Sequence, residues 1–163
     1  MANQHLPWHR SMRKAYADWV EKDLGPWDLI TTLTYDPKRR YGRPTNEPVI
    51  KDTHHFYREV QRRLHRRLVA VTAVERHEND WPHCHALIRL QGGADELLTQ
   101  LVSSIWRSLH GSIPESTRVE LIQDQTAAVR YVTKHFNQDL DVADIDVFPE
   151  SAGLSALRLR TQT

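Results

Sequence analysis

Apolar positions along the chain alternate between two spacings. Met12, Ala15, Tyr16, Trp19 and Val20 recur every three to four residues, which predicts a helix over residues 8–24. Gly25-Pro26 ends it. WDLITTLTY, Trp27 to Tyr35, is rich in β-formers and predicts a strand that Asp36-Pro37 stops. A basic loop with proline and glycine, Lys38 to Pro48, comes next. Phe56, Val60, Leu64 and Leu68 then mark a helix over 52–68, with Asp52 or Thr53 as its cap. Val69, Val71, Ala73, Glu75 and His77 switch to period two, so they share one face of a strand. Polar residues and Pro82 make a turn. In the strand that follows, His83, His85, Leu87 and Arg89 lie on one face, and Cys84, Ala86, Ile88 and Leu90 on the other, the core side. Helical spacing returns over 94–109 and stops at Gly111. Arg118 to Ile122 predicts a short strand, and a last helix starts at Asp124 or Gln125 and runs to about Phe136. The order α-β-α-β-β-α-β-α, with one clear antiparallel pairing, predicts an α+β fold: a central antiparallel sheet of four to five strands with helices packed on it.

Length changes the picture little. At 163 residues the chain builds one domain, expected over 1–137, and residues 138–163 are expected to form an acidic, weakly ordered tail. No apolar run approaches the ~18 residues of a membrane span, and no signal-peptide core opens the chain, so the expected compartment is the cytoplasm. A single cysteine, Cys84, excludes an internal disulfide and a cysteine-cluster metal site. Charge adds more. Residues 1–90 carry 16 Lys/Arg against 11 Asp/Glu, and residues 91–163 carry 6 against 10. An anionic polymer favours the first part, although a solvated basic helix face gives the same count.

Three constellations carry candidate chemistry. An antiparallel return places Glu75 near His83 and His85, and one carboxylate with two imidazoles binds a divalent cation with coordination positions left open. His77 shares that face as a fourth ligand or a supporting group, and its role stays open. A surface His-x-His strand has the same sequence, and the donor set does not choose among Mn, Mg, Zn and Co. Tyr131 and Lys134 lie three apart on the last helix and so neighbour each other. They read either as a half-buried tyrosine beside a solvated lysine or as a nucleophile beside its helper. A phenol, with a reference pKa of about 10, needs a nearby cation to act as a nucleophile at neutral pH. Finally, Thr32 and Thr34 offer hydroxyls that either reflect β-propensity or contact a sugar-phosphate backbone.

In this order the segments TTLTYDP, PHCHALI and YVTK resemble the three motifs of the HUH endonuclease superfamily, in its rolling-circle replication initiator (Rep) branch. The likeness is closest over ERHENDWPHCHALI and spans roughly residues 28–137. It implies that Glu75, His83 and His85 bind Mg or Mn, that Tyr131 attacks a phosphate of single-stranded DNA to leave a 5′-phosphotyrosine link, and that Lys134 assists. Because Tyr131 follows the histidines and position 127 is Ala, the resemblance is to a one-tyrosine initiator rather than a transfer relaxase. Cys84 stands where the family usually has an aliphatic residue.

The resemblance implies a partner DNA with a hairpin origin and a host helicase and polymerase, with no membrane and no small-molecule substrate. The setting becomes nuclear if the replicon is a eukaryotic virus. Arg39, Arg40, Arg43, Arg62, Arg66 and Arg67 are candidate DNA contacts alongside Thr32 and Thr34. Two other readings compete: a single-tyrosine transposase of the same superfamily, and a non-catalytic nucleic-acid-binding sheet.

Overall fold

The computed structural model describes residues 7–39, 44–76, 81–111, 116–134 and 145–152, with the side chains of residues 7–12 and 39 not described. Helix α1, Pro7–Trp19, continues into a π-helical turn, Val20–Leu24. Strand β1 is Leu29–Leu33, helix α2 Asn46–Leu64, strand β2 Leu68–Arg76 and strand β3 Pro82–Leu90. Helix α3, Glu96–His110, strand β4, Arg118–Leu121, helix α4, Gln125–Thr133, and strand β5, Ile145–Phe148, complete the order. The five strands form one antiparallel sheet in the order β4-β1-β3-β2-β5. The α+β class expected from the sequence is the one observed.

Both faces of the sheet carry helices. Ala70, Val74, Cys84, Ala86 and Ile88 pack against Phe56, Tyr57 and Val60 of α2 and Val102, Ile105 and Trp106 of α3. On the other face Val71, Ala73 and Leu87 meet Trp19, Val20 and Leu24, with Ala128, Val129 and Val132 of α4. Period-two alternation feeds one strand residue to each layer in turn, which explains why β2 and β3 are buried over most of their length.

The element boundaries depart from the sequence expectation in three places. Helix α2 spans Asn46–Leu64 rather than 52–68, and Leu68, expected on its buried stripe, instead opens β2. Pro48 is tolerated in the first turn of α2 because amides there have no partner within the helix. Helix α4 ends at Thr133, short of Phe136. Part of the expected tail is a strand: Ile145–Phe148 pairs with β2 from Ala70 to Ala73. Ile145 and Val147 face the α4 layer, Phe148 packs on the ring of Tyr57, and Asp146 reaches His54 of α2 at 2.6 Å. The acidic composition hid this strand, because its one carboxylate, Asp146, is tied to a helix.

Two clasps fix the end of the sheet where β1 and β2 finish and β3 begins. Arg76 Nη2 donates to the Pro44 carbonyl and to Asn46 Oδ1, each at 2.7 Å. Trp106 Nε1 donates to the Thr34 carbonyl at 2.7 Å. The basic loop after β1 therefore leaves from and returns to this end. Among the described residues no helix is long and apolar enough to cross a membrane.

Candidate active site at one end of the sheet

Register assembles the site. Glu75 pairs with His83 and Ala73 with His85 across β2 and β3, while Thr32 of β1 pairs with His85 from the other side. Paired residues project to the same face, so Thr32, Glu75, His83 and His85 all stand on the α4 side. Cys84 points the other way, fully buried in the α2/α3 core.

His85 is 4% exposed and held at both ring nitrogens. Its Nδ1 lies 3.2 Å from Thr32 Oγ1 and its Nε2 lies 2.7 Å from Glu75 Oε2. At 2.7 Å a proton bridges Nε2 and Glu75, while the threonine hydroxyl fixes the ring's rotation at Nδ1; with the Nδ1 proton given to that hydroxyl, the Nε2 lone pair is available to a cation that displaces the bridging proton. This is how a metal-ligating imidazole is usually supported. Among the described residues no three His, Cys, Asp or Glu side chains are already gathered around a point. The donor set nonetheless fits a divalent cation: a carboxylate and an imidazole converge, and His83 stands opposite Glu75 in register. Those three residues would hold the ion. His77 lies outside the described residues.

Helix α4 lays its tyrosine over this floor. Asp124 caps the helix by accepting from the Ala127 amide at 2.9 Å. Gln125 grips the Trp27 backbone twice, accepting from its N–H at 2.8 Å and donating to its carbonyl at 2.6 Å. Thr126 donates to Glu21 at 2.7 Å. Val129 and Val132 are buried beneath. Anchored in this way, Tyr131 sets its ring edge-on to His85, centroids 5.1 Å apart, and remains 43% exposed. Lys134 joins the two halves: Nζ is 3.6 Å from Glu75 Oε2 and 4.2 Å from the centre of the Tyr131 ring. A cation placed between a carboxylate and a phenol ring can move toward a developing phenolate or an incoming phosphate without leaving its anchor.

The structure brings Glu75, His83, His85, Tyr131, Lys134 and Thr32 together and places four of the other expected DNA contacts, Thr34, Arg62, Arg66 and Arg67, elsewhere. Thr34 is buried, its hydroxyl within 2.7 Å of Ser116 and 3.0 Å of Thr117. Arg62 lies on α2, across the sheet from the site, and hydrogen bonds from Arg62 and Arg63 hold the Glu59 carboxyl down at about 2. Arg66 donates to the Gly93 carbonyl, and Arg67 adjoins the start of β2, at the far end of the strand from Glu75. Arg40 and Arg43 lie outside the described residues, as does the Arg39 side chain. Sequence reading missed the backbone grip of Gln125 and the face taken by Arg118, which register reveals and composition does not.

Fold and site together define an antiparallel-sheet protein with a His/Glu floor and a helix-borne tyrosine at one end. Comparison assigns it further: the replication-associated protein family named for ORF2 matches residues 28–140, and the chain belongs to that family. No curated protein and no solved structure matches it.

Proposed function

We infer that the protein nicks and rejoins single-stranded DNA at a specific site through a 5′-phosphotyrosine link, and so initiates rolling-circle replication. The observation that carries this reading is the position of Lys134 between Glu75 and the Tyr131 ring, which itself stands edge-on to His85. Membership of a replication-associated family supports it. Tyr131 Oη forms a bond to the phosphorus that stays with the 5′ end, and the bond from phosphorus to the 3′-oxygen breaks. The phenol proton is lost and the released 3′-oxygen ends as a hydroxyl, so the reverse attack by that hydroxyl reseals the strand. Lys134 offsets charge building on the phenol and the phosphate. Thr32 holds the His85 ring, and Glu75, His83 and His85 would hold Mn or Mg, which when bound supplies Lewis-acid polarisation of the phosphate. Strand separation and synthesis then fall to a helicase and a polymerase of the host.

A base-stacking module is disfavoured by the surface of the sheet. Such modules present exposed strand aromatics. Here Tyr35 is buried and donates to Asp52 at 3.0 Å, and Phe148 faces the α2 layer.

The test is to mix the protein with single-stranded DNA carrying its origin, plus Mn, and look for a covalent adduct on a denaturing gel. The adduct is expected with the native protein and absent with Tyr131→Phe. An adduct that persists in Tyr131→Phe shows that another residue is the nucleophile. A His83→Ala, His85→Ala variant should bind the same DNA without nicking it, because binding rests largely on backbone electrostatics.

A further inference from the structure

Strand β4 is the edge of the sheet nearest β1, and its alternation splits cleanly. Val119 and Leu121 pack toward the α2/α3 core, while Arg118 and Glu120 are exposed on the opposite face. Register carries that face straight to the site. Arg118 pairs with Thr32, Thr32 with His85, and His85 with Ala73, so all four stand in one row across the sheet. Two strand spacings separate Arg118 from His85, about 10 Å between backbones.

Helix α4 packs over β3 and β2, on the far side of Thr32 from Arg118. The Arg118 end of the row is open to solvent and Thr32 is half-buried. Among the described residues the guanidinium has no hydrogen bond or ion pair, and its nearest charge on the same face is Glu120, two positions along and away from the site end. The backbone beneath it is fixed: Thr34 ties to Ser116 and Thr117 just before β4. A rigidly based guanidinium, exposed and a short step from a phosphate-processing centre, matches the geometry of a phosphate clamp.

We propose that Arg118 is a positioning residue that grips a backbone phosphate of single-stranded DNA lying on the β4 side of the Glu75/His83/His85 cluster. The strand then crosses the sheet over Thr32, entering from the β4 edge. Glu120 repels a path farther along β4, which confines the backbone to the site end. The proposal rests on the single-stranded DNA reading of the same site.

The experiment measures affinity for an unstructured oligothymidylate across a salt series. Each phosphate contact contributes about −0.7 to the slope of log affinity against log salt for a single strand. Arg118→Ala is expected to weaken binding several-fold at low salt and to flatten the slope by about 0.7, while Arg118→Lys restores the slope. Arg58→Ala, at an arginine also exposed but on α2 across the sheet, should leave the slope as in the native protein. An unchanged slope in Arg118→Ala overturns the proposal, as does an equal loss in Arg58→Ala, which would report net charge alone. If the native protein shows no salt-dependent binding to the oligonucleotide, the single-stranded DNA reading itself falls, and the clamp with it.

Discussion

In the proposed site, Thr32 would set how well His85 works. Its hydroxyl is the partner of Nδ1 at 3.2 Å, and the ring is buried against β1 with Glu75 on its other side. Thr32→Val keeps the shape and removes the hydroxyl, so the ring loses its rotational anchor and a buried nitrogen loses its partner. Nicking is expected to fall about 10–100-fold, as for other lost supports of a ligating histidine, with Thr32→Ser recovering most of it. Single-turnover cleavage in Mn measures the effect, and equal rates in Thr32→Val and the native protein would remove Thr32 from the site. At this scale much was legible beforehand. Strict alternation in β2 and β3 placed Glu75, His83 and His85 on one face and Cys84 on the other, because a strand has only two faces. The same rule misjudged Thr34. Strand β1 ends at Leu33, and the Thr34 hydroxyl turns to Ser116 and Thr117, 82 and 83 residues away. No local pattern encodes a bond of that separation.

Helix α4 converts sheet geometry into a poised tyrosine, and its start is where that conversion is exposed to mutation. Asp124→Ala removes the cap and is expected to cost about 1 kcal/mol, read by urea unfolding. It should also slow adduct formation more than an equally destabilising change in α3, because the first turn of α4 sets the height of Tyr131 one and a half turns later. Equal slowing in both variants would mean that the cap serves stability alone. The edge strand β5 separates the two effects from the other side. Phe148 is 7% exposed and packs on Tyr57 and His54. Phe148→Ala is expected to destabilise by about 3 kcal/mol yet leave cleavage at 25 °C near native, since β5 borders β2 at Ala70–Ala73, short of Glu75. Strand β5 was not legible because its period-two stretch is only four residues long and sits in acidic sequence. The start of α2 was hidden for the opposite reason: Pro48 reads as a breaker anywhere but in a first turn.

On the scale of the whole molecule, helices lie on both faces of the sheet, and the candidate site sits at its end between β1, β2 and β3. That end receives both stems of the basic loop, because Arg76 ties Pro44 and Asn46 to the residue after Glu75. The same layout predicts how the fold would respond to the proposed ion. Glu75, His83 and His85 come from β2 and β3, the central pairing of the sheet, so a cation held by them is coupled to global unfolding rather than to fraying of an edge. A ligand that binds only the folded state at one hundred times its dissociation constant adds about 2.7 kcal/mol. In a domain of this size each kcal/mol moves the midpoint by about 2–4 °C, so Mn is expected to raise it by about 5–11 °C. Chelator should reverse the shift, and Glu75→Gln, which keeps the shape but removes the charge, should abolish most of it. Differential scanning fluorimetry over a Mn series reads this without any DNA. A shift of native size in Glu75→Gln would place the ion elsewhere, whereas loss of the shift together with loss of nicking would tie both to the carboxylate that Lys134 and His85 already share.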